Sequence, residues 1–136
     1  MKKNENKNWL LINAENKILG RLATKIAILL TGKNSRFYES NKTNGSFVVI
    51  INSDKIKVTG NKLQKKLYYR HSGKPGKLKT TKLEHLIEKH PNLIIRNAVK
   101  GMLPKNKNSK ILINRLKLYT SSEHKHLAQK PKLIEI

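Results

Sequence analysis

Cysteine is absent from this 136-residue chain, so disulfides and thiolate metal sites are excluded outright. Acidic residues are scarce: eight Asp and Glu stand against 30 Lys and Arg, a formal net charge of +22. Only 5% of residues are Phe, Trp or Tyr, and Trp9 is the sole tryptophan. Long apolar runs are missing too. The most apolar helical segment, Ile18 to Leu30, is interrupted by Arg21 and Lys25 and is too short to cross a bilayer. The opening Met1-Lys2-Lys3-Asn4-Glu5-Asn6 is basic but lacks the apolar stretch of a secretory signal, so a soluble intracellular protein with a mobile N-terminus over 1–7 is expected.

What is present is positive charge in blocks. Between Lys55 and Leu83 there are ten Lys or Arg and no acid; from Lys89 to Ser122 there are eight and again no acid. Such runs repel themselves and need a polyanion nearby to be tolerated in a compact state. The sequence pI of about 10.4 lies in the range that flags a nucleic-acid-binding domain. Of the 30 basic residues 25 are Lys, which act as point charges on phosphate, favouring general backbone binding over base-specific readout. Tyr68-Tyr69-Arg70-His71 interleaves the first block with side chains able to stack on bases.

The hydrophobic pattern, 37% of residues, is clustered and regular enough for one folded domain over 1–136. Trp9 to Asn13 reads as a short buried strand, paired with the β-branched run Phe47 to Ile51. A helix is expected from Leu19 to Leu30, where Leu19, Leu22, Ala23, Ile26, Ala27 and Leu30 recur at three- and four-residue spacing, with Gly32 as its stop. A helical turn follows Asn52-Ser53-Asp54 as far as Val58. Leu67 to His71 is expected as a third strand, with a loop through Gly73-Lys74-Pro75-Gly76. Helices are expected over Thr81–Lys89, Asn92–Met102 with Pro91 in the first turn, and Ser109–Arg115. In the second of these the apolar face should be Leu93, Ile94, Ala98 and Met102 or Leu103. Leu116 to Tyr119 is a last strand, and the tail over 120–136 is expected to be extended, with little periodicity. Strands alternating with helices imply an α/β fold with a small, mainly parallel four-stranded sheet and helices on both faces.

An α/β sheet invites enzymatic motifs, and these are wanting. Thr31-Gly32-Lys33 and Ser72-Gly73-Lys74 resemble the end of a phosphate-binding loop, but Ala27 and Tyr68 occupy the position that requires glycine, and neither Lys is followed by Ser or Thr. No G-x-G-x-x-G occurs. Glu84 and Glu88 are one helical turn apart but flanked by Lys82, His85 and Lys89, which marks a solvated face and not a catalytic carboxylate pair. His124 and His126 have no companion metal ligand except Glu123. No catalytic residue, cofactor, metal or small-molecule substrate is therefore expected. A membrane-surface helix would need aromatic residues on an amphipathic helix, and Trp9 lies in a core strand. A DNA-reading helix pair is also lacking, and turn glycines such as Gly73, Gly76 and Gly101 among lysines suit the irregular backbone of folded RNA.

At Ala98-Val99-Lys100-Gly101-Met102-Leu103-Pro104-Lys105-Asn106 the chain resembles the ribosomal protein uL13 family (bacterial-type L13) of the large subunit. Trp9, Leu19-Gly20-Arg21-Leu22-Ala23, Thr59-Gly60-Asn61-Lys62, Tyr68-Tyr69-Arg70-His71-Ser72-Gly73 and Ala128-Gln129-Lys130-Pro131 agree in order and spacing, from about Asn8 to Ile136. Departures from the usual pattern are Asn13 and Ser46 where Asp is common, Lys125 for Pro, and Ser109-Lys110 for Gly-Arg. The resemblance implies a three-layer α/β/α domain, binding to large-subunit ribosomal RNA beside neighbouring large-subunit proteins, a role in early subunit assembly, no catalysis, and residence on a bacterial cytoplasmic or plastid-type ribosome. A general nucleoid-type nucleic-acid-binding protein is the alternative.

The expected RNA contacts in the first block are Lys62, Lys65, Lys66, Arg70, His71 and Lys74. In the second they are Lys100, Lys105, Lys107, Lys110 and Arg115, with His124 and His126 in the tail and Arg21 and Lys33 flanking the first helix. The two blocks are expected to form separate contact regions on opposite sides of the core.

Overall fold

Two runs of apolar residues, Trp9–Asn13 (β1) and Phe47–Ile51 (β2), cannot be left in water, and each finds its complement in the other. They pair in parallel, with Leu10 opposite Val48 and Ile12 opposite Ile50, in the computed structural model, which describes residues 8–136. The expected mobile N-terminus over 1–7 lies outside the described residues. Parallel neighbours require a crossover, and Leu19–Thr31 (α1) supplies it. Gly32 ends α1 as expected: its φ of 76° is the left-handed conformation that glycine adopts at least cost, and its N–H bonds the Ile28 carbonyl.

Between β2 and the next strand of the same sheet the chain makes a long excursion. It runs through a short helix Lys62–Lys65 (α2), an antiparallel hairpin of Leu67–His71 (β3) and Leu78–Lys82 (β4), then helices Leu83–Lys89 (α3), Pro91–Met102 (α4) and Asn108–Asn114 (α5). Leu116–Leu118 (β5) returns alongside β2, and Lys132–Leu133 (β6) adds to the free side of β1. The result is an α/β fold with a parallel four-stranded sheet of order β5-β2-β1-β6.

Several elements differ from expectation for identifiable reasons. Leu67–His71 is a strand, but it pairs only with β4; the fourth strand of the sheet comes from the tail, where Ile134 N–H bonds the Leu11 carbonyl at 2.8 Å. Two residues of pairing carry too little pattern to be seen in sequence. The helix expected from Thr81 begins at Leu83, because Thr80, Thr81 and Lys82 are drawn into the ladder opposite Tyr69, Tyr68 and Leu67. Past Asn52 only Ser53–Lys55 is helical; Lys57 then bridges Ile18 in extended form. On α4 the buried residues are Pro91, Ile94, Ile95 and Val99, with Leu103 following, while Leu93 and Met102 face outward.

One core joins alternate residues of the strands to the helices: Ile12, Val48, Ile50 and Leu116 meet Leu22, Ile26 and Leu30 of α1, Leu83 and Leu86 of α3, Ile94, Ile95 and Val99 of α4, and Leu112 of α5. The opposite face of the sheet is closed differently, by aromatic residues and the tail. Trp9 stacks on Phe47 with ring centroids 4.6 Å apart, and His126 lies 5.0 Å from Trp9. The segment leading into β2 presses so closely on α1 that a Cβ on Gly45 would meet the Leu30 carbonyl oxygen at 1.7 Å, which makes glycine obligatory there.

Candidate nucleic-acid interface

The first basic block is carried by α2 and the hairpin. Nine of the ten strand residues of β3 and β4 are exposed, and only Tyr68 is half-buried, packed against the core. Antiparallel pairing is regular, from Leu67 opposite Lys82 to His71 opposite Leu78, and it sets Arg70 directly across from Lys79. Like charges at such a position destabilise a ladder by up to about 1 kcal/mol. No compensating carboxylate is at hand: among the described residues the ion pairs are Lys42–Glu39, Lys55–Glu15 and His85–Glu88, all elsewhere. The charge of the hairpin is thus left without a carboxylate partner among the described residues.

Its tip is shaped by Gly73 and Gly76, whose φ values of 89° and 71° would strain any side-chain-bearing residue. Gly73 N–H donates to His71 Nδ1 at 2.8 Å. An Nδ1 that accepts leaves the ring proton of neutral His71 on Nε2, which points a donor away from the turn. Lys62 and Lys65 line one side of α2, Lys66 ends it with its ammonium 5.4 Å from the Tyr68 ring, and Lys74 sits in the hairpin loop. These cations and Arg70 are all exposed. Lys77, Lys79 and Lys82 share the hairpin with them; sequence reasoning passed over these three because Leu78–Lys82 has no apolar alternation to mark it as a strand.

The second block divides. Lys100 is in the last turn of α4, Lys105 and Lys107 follow in the connection, and Lys110 is on α5, all exposed. Arg21 and Lys33 are exposed at the start and just past the end of α1. Arg115 behaves otherwise. Its Nη1 donates to the Gly45 carbonyl at 2.7 Å, its Nη2 to Thr43 Oγ1 at 3.1 Å, and its guanidinium lies 5.3 Å from the Phe47 ring. It therefore fixes the segment before β2.

The tail histidines are likewise engaged with protein. His126 rests on Trp9 and meets Tyr119 edge-on at 5.9 Å, while its N–H donates to His124 Nδ1 at 3.2 Å. Desolvation, then the charges of Lys117 and His124, hold the His126 pKa below its ordinary 6.5. Arg115, Phe47, Trp9 and His126 form a continuous stack that closes this side of the sheet. Of the departures noted in sequence, Asn13 has a visible use: its Oδ1 accepts from Glu15 N–H and from Asn52 Nδ2, both at 3.0 Å.

The two blocks do not lie wholly apart. Arg70 of the hairpin lines the same groove as Lys89, Arg96 and Lys117. The hairpin feeds directly into α3, and α3 packs on both β4 and α4, so the chain brings the end of the first block back to the beginning of the second. Within the second block, Lys100, Lys105 and Lys107 lie toward the far end of α4, a twelve-residue helix about 18 Å long, before α5 and β5 bring the chain back to the groove.

A family model described as ribosomal protein L13 matches residues 7–125. The chain is 51% identical over 128 residues to large ribosomal subunit protein uL13 of Thermus thermophilus, covering 94% of this chain and 91% of the relative. It is 49% identical over 130 residues to that of Maridesulfovibrio salexigens, covering 96% and 92%. Against the cyanobacterial protein of Acaryochloris marina the identity is 51% over 130 residues, covering 96% and 86%.

Proposed function

Since the chain belongs to the ribosomal protein L13 family and is a structural constituent of the large ribosomal subunit, we propose that it serves there as a non-catalytic binder of large-subunit ribosomal RNA that supports early subunit assembly. The observation that carries this reading is the β3–β4 hairpin: a regular, exposed ladder with Arg70 opposite Lys79 and no acid to neutralise either. A polyanion laid against it removes the repulsion and releases condensed counterions in the same step. The α/β core contributes rigidity, so the lysines of α2, the hairpin and the α4–α5 connection meet the RNA already placed.

Within this reading Lys62, Lys65, Lys66, Arg70, His71 and Lys74 contact phosphate or ribose, as do Lys100, Lys105, Lys107 and Lys110, with Arg21 and Lys33 as peripheral contacts. Arg115, His124 and His126 act by holding the surface in shape. The partners are large-subunit RNA and adjoining large-subunit proteins, on a bacterial cytoplasmic or plastid ribosome. Sedimentation of the native protein from cell extract tests the proposal: it should persist on the large-subunit peak after a moderate salt wash, and recovery only in free fractions would overturn it. Changing Lys65, Lys66 and Lys105 together to Ala should lower the slope of log affinity against log salt by roughly three, one for each phosphate no longer neutralised. Tighter binding to duplex DNA than to folded large-subunit RNA at equal salt would favour a nucleoid-type binder instead.

A further inference from the structure

A groove of about 840 Å³ separates the hairpin from the edge of the sheet. Arg70 of β3 stands on one side. Lys89, His90 and Arg96, around the start of α4, stand on the second. The third is β5, the edge strand of the sheet, whose residues Leu116 to Leu118 line it along the free edge, Leu116 and Leu118 facing the core side and Lys117 the aromatic side. Among the described residues no Asp or Glu lines it.

Two features set this groove apart from the lysine-covered surface. First, arginine is rare in the chain, five residues in all, yet two of the groove's four strong cations are Arg. A guanidinium presents a planar fork that matches phosphate oxygens two at a time, whereas an ammonium acts as a point charge. Second, two of the three walls are fixed to each other. The Asn92 carboxamide accepts from the Ser53 hydroxyl and donates to the Leu118 carbonyl at 3.5 Å, tying the start of α4 to β5 and to the turn after β2. Groups held in place before a ligand arrives lose little freedom on binding it. The volume falls in the range of about 300–1,000 Å³ of clefts that take one small ligand, room for a short segment of backbone.

We propose that this groove clamps a short stretch of large-subunit ribosomal RNA backbone, with phosphate forked between Arg70 and Arg96 and the surrounding charge neutralised by Lys89. The proposal rests on the reading that the protein binds ribosomal RNA, and it names a place where that binding depends on arginine geometry and not on charge alone.

The test keeps the charge and removes the fork. Full-length protein carrying Arg70→Lys and Arg96→Lys is titrated against a refolded large-subunit RNA transcript over a range of salt, beside the unaltered protein and a variant with Arg36→Lys, an exposed residue in the turns after α1 and outside the groove. The double variant should bind roughly tenfold more weakly or worse, one or more charge-assisted hydrogen bonds having gone, with the salt slope unchanged; Arg36→Lys should bind as the unaltered protein does. If the unaltered protein fails to bind the transcript, the ribosomal-RNA reading itself falls. If it binds and the double variant binds equally well, the groove proposal alone is overturned. Thermal melts of both variants check folding. Independently, the chain has no cysteine, so Asn114→Cys at the groove's rim provides a unique thiol for tethered iron-EDTA. In assembled subunits this label should cleave the ribosomal RNA; an absence of cleavage, or cross-linking of the same thiol to an acidic protein segment, would overturn the assignment.

Discussion

The two best-formed strand pairs of this protein have the same length and opposite physics. β1 and β2 pair over five residues, and so do β3 and β4. In the first pair Ile12, Val48, Val49 and Ile50 are completely buried, and each fully buried aliphatic side chain is worth about 1.5–3 kcal/mol. In the second only Tyr68 leaves the solvent in part, and like charges face each other across the ladder. A two-stranded hairpin alone in water is marginal at best. Here it is braced at its base, where Leu83 N–H bonds the Lys66 carbonyl and Leu83 is buried, and bare at its tip. The core pair buries what it pairs, while the hairpin keeps like charges facing each other across its ladder.

That contrast can be broken most visibly in the core. Ile50→Ala should cost about 2–5 kcal/mol through reduced burial and a residual cavity, whereas Tyr69→Ala on the hairpin should stay within about 0.5 kcal/mol. Chemical denaturation of the two variants decides this, and equal losses would mean that the hairpin shares the core's cooperativity. A subtler change sharpens the contrast. Lys79→Glu places opposite charges across the ladder, so amide exchange of Tyr69 and Arg70 should slow in the free protein, consistent with a gain of about 0.2–1 kcal/mol. The same variant should bind large-subunit RNA more weakly and with a shallower salt slope. Stability and affinity moving in the same direction would refute the view that the hairpin's charges are kept for a ligand.

The smallest expected effect concerns the aromatic face of the sheet. His126 has its pKa below 6.5 in the folded state, so the neutral ring is favoured there. Its contribution is present in full above about pH 6.5 and is lost as pH falls through the lower folded value. The tail should loosen over that interval. Trp9, the sole tryptophan, reports it: fluorescence should titrate with a midpoint below 6.5, and His126→Gln should abolish the transition. A midpoint above 6.5 would reverse the sign of the linkage.

What could be seen in sequence follows the same division. β1, β2 and α1 were legible to within a residue because their apolar periodicity is the cause of their structure. The exposed cations of the hairpin and of the α4–α5 connection were legible for a related reason: nothing in the neighbouring sequence could neutralise them. The intramolecular partners of Arg115 and His126 were not legible, because they are distant in the chain, Gly45 and Thr43 for one and Trp9 for the other. That Arg96 lines a groove with Arg70 was not legible either, since a single cation on an apolar helix carries no local mark of its neighbours.

The pattern of apolar and basic residues was sufficient to require a buried parallel pair, a covering helix and a polyanion, because burial and self-repulsion act on short stretches of chain. The site of each remaining element was settled only on folding. That Lys132–Leu133 completes the sheet, that Leu67–His71 stays outside it, and that Arg70 comes to share a groove with Arg96 depend on contacts between residues far apart in the chain. Such contacts are chosen by the fit of whole surfaces, which leaves no local signature in the sequence.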